Sequence, residues 1–158
     1  MNPYDQGLMW FRRDLRAQDN AALHHALKAC RRVWCVFVFD TDILDPLLAR
    51  GLRADRRVAF IRESLVDLDA QLRSLGAEHG TAEVGLIVRH GRAQELIPQL
   101  AQQLHVQAVF ANHDDEPAAH ARDVQVRGTL AHAGIVFHGH KDHVIFERRE
   151  VLTQQGHA

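Results

Sequence analysis

The sequence predicts an α/β domain built on a doubly wound, five-stranded parallel sheet. Short apolar runs of strand length alternate with segments of helical period, and several of those runs end in polar residues. No internal repeat or low-complexity stretch interrupts the alternation. Five strands with four helices between them imply right-handed crossovers and helices on both faces of the sheet.

The first strand is the apolar run Gly7-Leu8-Met9-Trp10-Phe11, suited to burial on both faces. It leads into Arg12-Arg13-Asp14-Leu15-Arg16, which packs long charged side chains into a strand-to-helix turn. A dinucleotide site would need glycines there so that the backbone could approach a pyrophosphate. Arg12, Arg13, Asp14 and Arg16 therefore have two open readings: a structural ion-pair cluster, or ligand contacts. Asp19 or Asn20 is placed to cap the helix from about Asn20 to Ala29 by accepting from free backbone N–H groups.

Val33 to Asp40 is an uninterrupted β-branched and aromatic run, as expected of a central strand. It ends in polar residues at the strand's carboxyl end, where ligands bind in open α/β sheets. The loop Thr41 to Ala54 holds Pro46 and Gly51 and is long for its type, a length more often functional than filler. Val58, Ile61, Leu65, Leu68, Leu72 and Leu75 mark an amphipathic helix with a stop at Gly76. Glu83 to Arg89 is the third strand, turned at His90-Gly91. The next helix carries Leu96, Ile97, Leu100 and Leu104, with Pro98 expected to kink or restart it.

Ala108 to Asn112 forms the fourth strand and runs into His113-Asp114-Asp115-Glu116-Pro117, a second polar cluster at a carboxyl end. Pro117 suits the first turn of a helix from about Ala118 to Ala133. The acidic residues ahead of it either complement that helix's dipole or form a site. Ile135 to Phe137 is a short fifth strand. Arg12–Arg16 and Asn112–Glu116 thus face each other across one crevice of a Rossmann-like sheet, the first place to look for a ligand.

Composition excludes several classes. The net charge of −1 over 158 residues gives no global field toward DNA or membranes. No apolar run approaches the roughly 20 residues of a membrane span, and no leader peptide is evident, so a cytoplasmic protein is expected. Cys30 and Cys35 are not at redox-motif spacing, and Cys35 belongs to the core. Of the twelve histidines, His138, His140 and His143 cluster in sequence. Only His138 and His140 would share a strand face, and no zinc-like spacing accompanies them. Trp10 and Trp34 lie in strands, where packing outweighs an electron-transfer role.

The string Trp10-Phe11-Arg12-Arg13-Asp14-Leu15-Arg16 with Asp19-Asn20 resembles the N-terminal α/β domain of the DNA photolyase and cryptochrome family. Val36-Phe37-Val38-Phe39-Asp40, Phe110-Ala111-Asn112 with Glu116-Pro117, Arg122-Asp123, Ala133-Gly134-Ile135 and Val151-Leu152-Thr153 match in family order. The resemblance implies the antenna-chromophore-binding domain of a light-driven DNA repair flavoprotein, a deoxyribodipyrimidine photolyase that splits cyclobutane pyrimidine dimers. Residues 1–140 would be the antenna domain and 141–158 the start of an interdomain linker. The partners implied are a C-terminal helical domain, absent from this sequence, and damaged DNA bound through it, with no membrane contact. That helical domain would hold the catalytic FAD, so this chain alone is not expected to catalyse.

The antenna implied is methenyltetrahydrofolate or an 8-hydroxy-deazaflavin, in a cleft lined by Arg12, Arg13, Val38, Asp40, Asn112, Asp114 and Glu116. Arg13 and Asp114 match deazaflavin-binding relatives in kind. Ala118, Ala119 and His120 stand where folate binders carry a polar pair. Two other readings are a photosensory cryptochrome domain that signals through protein partners, and an unrelated adenine-nucleotide-binding α/β protein.

Overall fold

A computed structural model describes residues 3–41, 52–78, 80, 84–114 and 117–141. In chain order the elements are β1 (Tyr4–Phe11), α1 (Ala21–Ala29), β2 (Cys30–Asp40), α2 (Leu52–Glu78) and β3 (Leu86–Gly91). They continue with α3 (Ala93–Gln103), β4 (Ala108–Asn112), α4 (Pro117–His132) and β5 (Val136–His140). The strands form one sheet in the order β3-β2-β1-β4-β5, and every neighbouring pair is parallel.

Alternation along β1 explains its unbroken apolar run. Met9 and Phe11 pack beneath α1 and α2 with Leu23, Leu68, Leu72 and Phe110. Leu8 and Trp10 face the other way, toward Ile97 of α3 and Val126 and Leu130 of α4. Each such large side chain, once fully buried, contributes about 1.5–3 kcal/mol. The chain winds outward through β2 and β3, then crosses the sheet to β4 and β5. The reversal falls between β1 and β4, which makes their carboxyl ends the switch point.

Several elements differ in extent from the sequence expectation. α2 runs through Gly76 to Glu78, because Gly76 is buried and the glycine penalty of about 1 kcal/mol is small beside the packing of Leu68 and Leu72. It also begins at Leu52, inside the expected loop; the rest of that loop, residues 42–51, lies outside the described residues. One helix spans Pro98 without restarting, since the buried ring packs on the apolar side of α3. β3 extends through His90 and Gly91, which pair with Phe39 and Asp40 of the longer β2. Gly91 holds φ at +150°, and a Cβ there would come within 2.9 Å of Leu96. β5 continues past Phe137 to His140, because β4 offers pairing partners as far as Asn112.

Candidate functional site at the sheet switch point

Helix α1 begins with its backbone donors in need of acceptors, and two asparagines supply them. Asn20 is the N-cap, its Oδ1 accepting from the N–H of Leu23 at 3.1 Å. Asn112, at the end of β4, accepts the N–H of Ala22 at 2.9 Å. Its Nδ2 donates to Asp14 Oδ2 at 2.6 Å and to Asn20 Oδ1 at 2.8 Å. The other oxygen of Asp14 accepts the Arg12 N–H at 2.8 Å. All three side chains are buried, so this knot ties the turn after β1, the start of α1 and the end of β4 together.

A second network lies on the opposite face of the sheet. Nη1 of Arg12 donates to both oxygens of Asp123, at 2.6 and 2.7 Å, and Nη2 donates to the main-chain oxygen of Asn112. Arg122 reaches Asp123 with Nε at 3.3 Å and Asp40 with Nη1 at 3.4 Å. The two guanidinium carbons stand 4.7 and 4.8 Å from the centre of the Trp10 ring. A relay of alternating charge thus joins β1, α4 and β2. Nη2 of Arg122 is buried and has no hydrogen-bond partner among the described residues, so one donor beside the end of β2 is left over there.

The residues expected to line a cleft fall into distinct settings. Arg12, Asp40 and Asn112 meet at the carboxyl ends of three strands, each engaged in the networks above. Val38 is buried on the α3 side of β2. Arg13 and Asp114 lie 3.9 Å apart, with Arg13 67% exposed and Asp114 10%. Glu116 and Asp115 lie outside the described residues, as does His143.

Among the described residues, Arg12, Asp14 and Arg16 each engage a partner other than one another's side chains. Arg12 takes Asp123, Asp14 takes the asparagines, and Arg16 donates to the carbonyl of Asp19 at 2.9 Å. Neighbours in a tight turn point apart, so each finds its partner on another element or further along the chain.

Trp10, Arg122 and Asp123 do not stand out as cleft residues in the sequence, whereas Asp40 does. The signal was present in α4, whose buried stripe is Ala119, Arg122, Val126 and Leu130. An arginine on an apolar stripe demands an internal carboxylate.

At the strand ends the constellation sets two buried guanidinium groups over the indole of Trp10, one of them with an unused donor among the described residues. Two features of the chain lie outside it. Among the described residues no group of three or more histidine, cysteine or carboxylate side chains is disposed to hold a metal ion. None of the described helices is long and apolar enough to cross a membrane.

Comparison with known proteins agrees with this arrangement. A family model described as DNA photolyase matches residues 7–158. The deoxyribodipyrimidine photo-lyase of a Synechococcus species is 34% identical over 149 residues, covering 94% of this chain and 28% of the relative. The (6-4)DNA photolyase of Arabidopsis thaliana is 30% identical, and Cryptochrome DASH of Natronomonas pharaonis 31%, each over 94% of the chain. The chain spans 26% and 30% of the lengths of these two.

Among solved structures, an archaeal photolyase from Sulfolobus tokodaii superposes with a TM-score of 0.69 at 30% identity, covering 91% of this chain and 32% of that one. It is described with two FAD molecules and the implication of a novel light-harvesting cofactor. A class III photolyase from Agrobacterium tumefaciens shares the fold with a TM-score of 0.74 at 22% identity, covering 97% of this chain and 29% of that one. The chain belongs to the DNA photolyase family, and its fold is that of the family's N-terminal α/β domain.

Proposed function

We propose that this chain is the antenna-binding domain of a light-driven DNA repair flavoprotein, and that its pigment sits at the switch point, against the carboxyl ends of β1 and β4 with that of β2 beside them. The observation that carries the reading is the spare donor of Arg122, held beside Asp40, with the exposed guanidinium of Arg13 3.9 Å from Asp114. A bound pigment would supply absorption in the near-ultraviolet or blue and hand excitation to a catalytic FAD. Arg13 and Asp114 would hold the polar edge of such a ligand, and Val38 and Asp40 would set the inner wall. Arg12 and Asn112 would keep the three strand ends in register. Glu116 joins this set on the family resemblance alone.

The pigment is a methenyltetrahydrofolate, an 8-hydroxy-deazaflavin or, by analogy with the Sulfolobus relative, a second flavin. In the same reading, catalytic FAD and damaged DNA with a cyclobutane pyrimidine dimer are bound by a helical domain beyond this sequence, in the cytoplasm. A photosensory cryptochrome is the second reading, supported by the 31% identity to Cryptochrome DASH. Repair of dimer-containing DNA by the longer protein under blue light separates the two. Membership of the photolyase family sets aside an unrelated adenine-nucleotide protein.

The test is equilibrium dialysis of the 158-residue chain against each pigment in turn. One pigment should be retained, and Arg13→Ala or Asp114→Ala should weaken it about tenfold, the worth of one charge-assisted contact. Retention of none, or equal retention by both variants, contradicts the proposal.

A further inference from the structure

Tyr4, the chain's single tyrosine, opens β1 on the sheet face that carries α1. Its hydroxyl lies 2.9 Å from Nε2 of His138 on β5. Phe110 walls the pair, meeting Tyr4 edge-on at 6.3 Å and stacking on His138 at 4.9 Å. Burial, then the charge of His25, lowers the His138 pKa below its ordinary value, so the ring is neutral at pH 7. With its proton on Nδ1, such a ring presents Nε2 as the acceptor of the phenol O–H. Beyond it, His140 stands 6.4 Å away, and the exposed His25 stacks on His140 at 4.2 Å.

A phenol that loses an electron becomes a strong acid. In a partly buried setting the bare radical cation is costly, and a base already at hydrogen-bond distance removes that cost by taking the proton. Among the described residues neither indole has such a partner. Trp10 is buried under the guanidinium groups of Arg12 and Arg122, which oppose a cation on the ring. Trp34 donates its N–H to the Gln6 amide oxygen at 2.8 Å, and an amide does not accept a proton at neutral pH.

We propose that Tyr4 and His138 form a proton-coupled redox site, oxidised by one electron when a photoexcited flavin encounters the chain. In that step the O–H bond of Tyr4 breaks and its electron passes to the flavin, which is reduced by one electron. The proton passes to Nε2 of His138, leaving a neutral tyrosyl radical hydrogen-bonded to an imidazolium. Return of the electron reverses both transfers. The site lies toward the opposite end of β1 from the switch point and does not depend on pigment binding there.

Flash photolysis of the 158-residue chain with soluble flavin mononucleotide as the oxidant tests it, in H2O and in D2O. The narrow absorption band of a tyrosyl radical should form, be absent in Tyr4→Phe and form more slowly in D2O. In His138→Gln, which accepts a hydrogen bond but not a proton, the band should form at least about tenfold more slowly. Should that variant fail to fold, the comparison of solvents in the unaltered chain decides. Absence of the band, or a rate indifferent to D2O, overturns the proposal, as does an unchanged rate in folded His138→Gln.

Discussion

Asn112 spends one amide on three elements at once, and that makes it the most exacting residue in the molecule. Its oxygen caps Ala22, while its nitrogen serves both Asp14 and Asn20. Asn112→Ala removes a helix cap and leaves a buried carboxylate short of a donor. It should lower unfolding free energy by about 2–3 kcal/mol in a urea titration. Arg12→Met should cost more, about 3–5 kcal/mol, because Asp123 and the carbonyl of Asn112 lose their strongest donor inside the protein. The thiols behave oppositely, as inert core. Burial pushes Cys30 to about 11 and Cys35 to about 12, so both should resist alkylation at pH 8 until the chain unfolds.

Between elements, the least settled contact is the one that holds β5 to β4 and α1 through imidazole rings. Burial chiefly, with the charges of His25, His138 and His113, lowers His140 to about 4, and its Nε2 has no hydrogen-bond partner among the described residues. An unfolded histidine titrates near 6.5, so the unfolded chain binds the proton first as pH falls. Stability from His140 and His138 is therefore complete above pH 6.5 and declines as pH drops toward 4. Urea midpoints measured across that window should fall steadily, and His140→Phe should flatten the slope.

Element by element, the apolar runs mark where strands lie, since burial on both faces leaves no other pattern for Val33–Asp40 or Ala108–Asn112. Ends were harder. Gly76 and His90-Gly91 look like stops, yet tertiary packing and pairing with β2 carry the elements onward.

Across the whole molecule, the order β3-β2-β1-β4-β5 turns two distant polar clusters into neighbours. That much was legible, because alternating strands and helices admit few right-handed windings. What the string Arg12–Arg16 did not disclose is its pairing. A guanidinium can meet any carboxylate brought near it by folding, and only the placement of α4 selects Asp123 for Arg12. The family resemblance is legible in the motifs of the α/β domain, while the spare donor of Arg122 emerges only from the three-dimensional packing of the described residues.

Nitrogen-15 and carbon-13 NMR of the 158-residue chain, with and without the retained pigment, locates the ligand most directly. Signals of Arg13, Val38, Asp40, Asp114 and the Arg122 guanidinium should move together on loading, with Tyr4 and His138 still. Shifts confined to the outer edges of β3 or β5, with the switch-point residues unmoved, would contradict a pigment seated there.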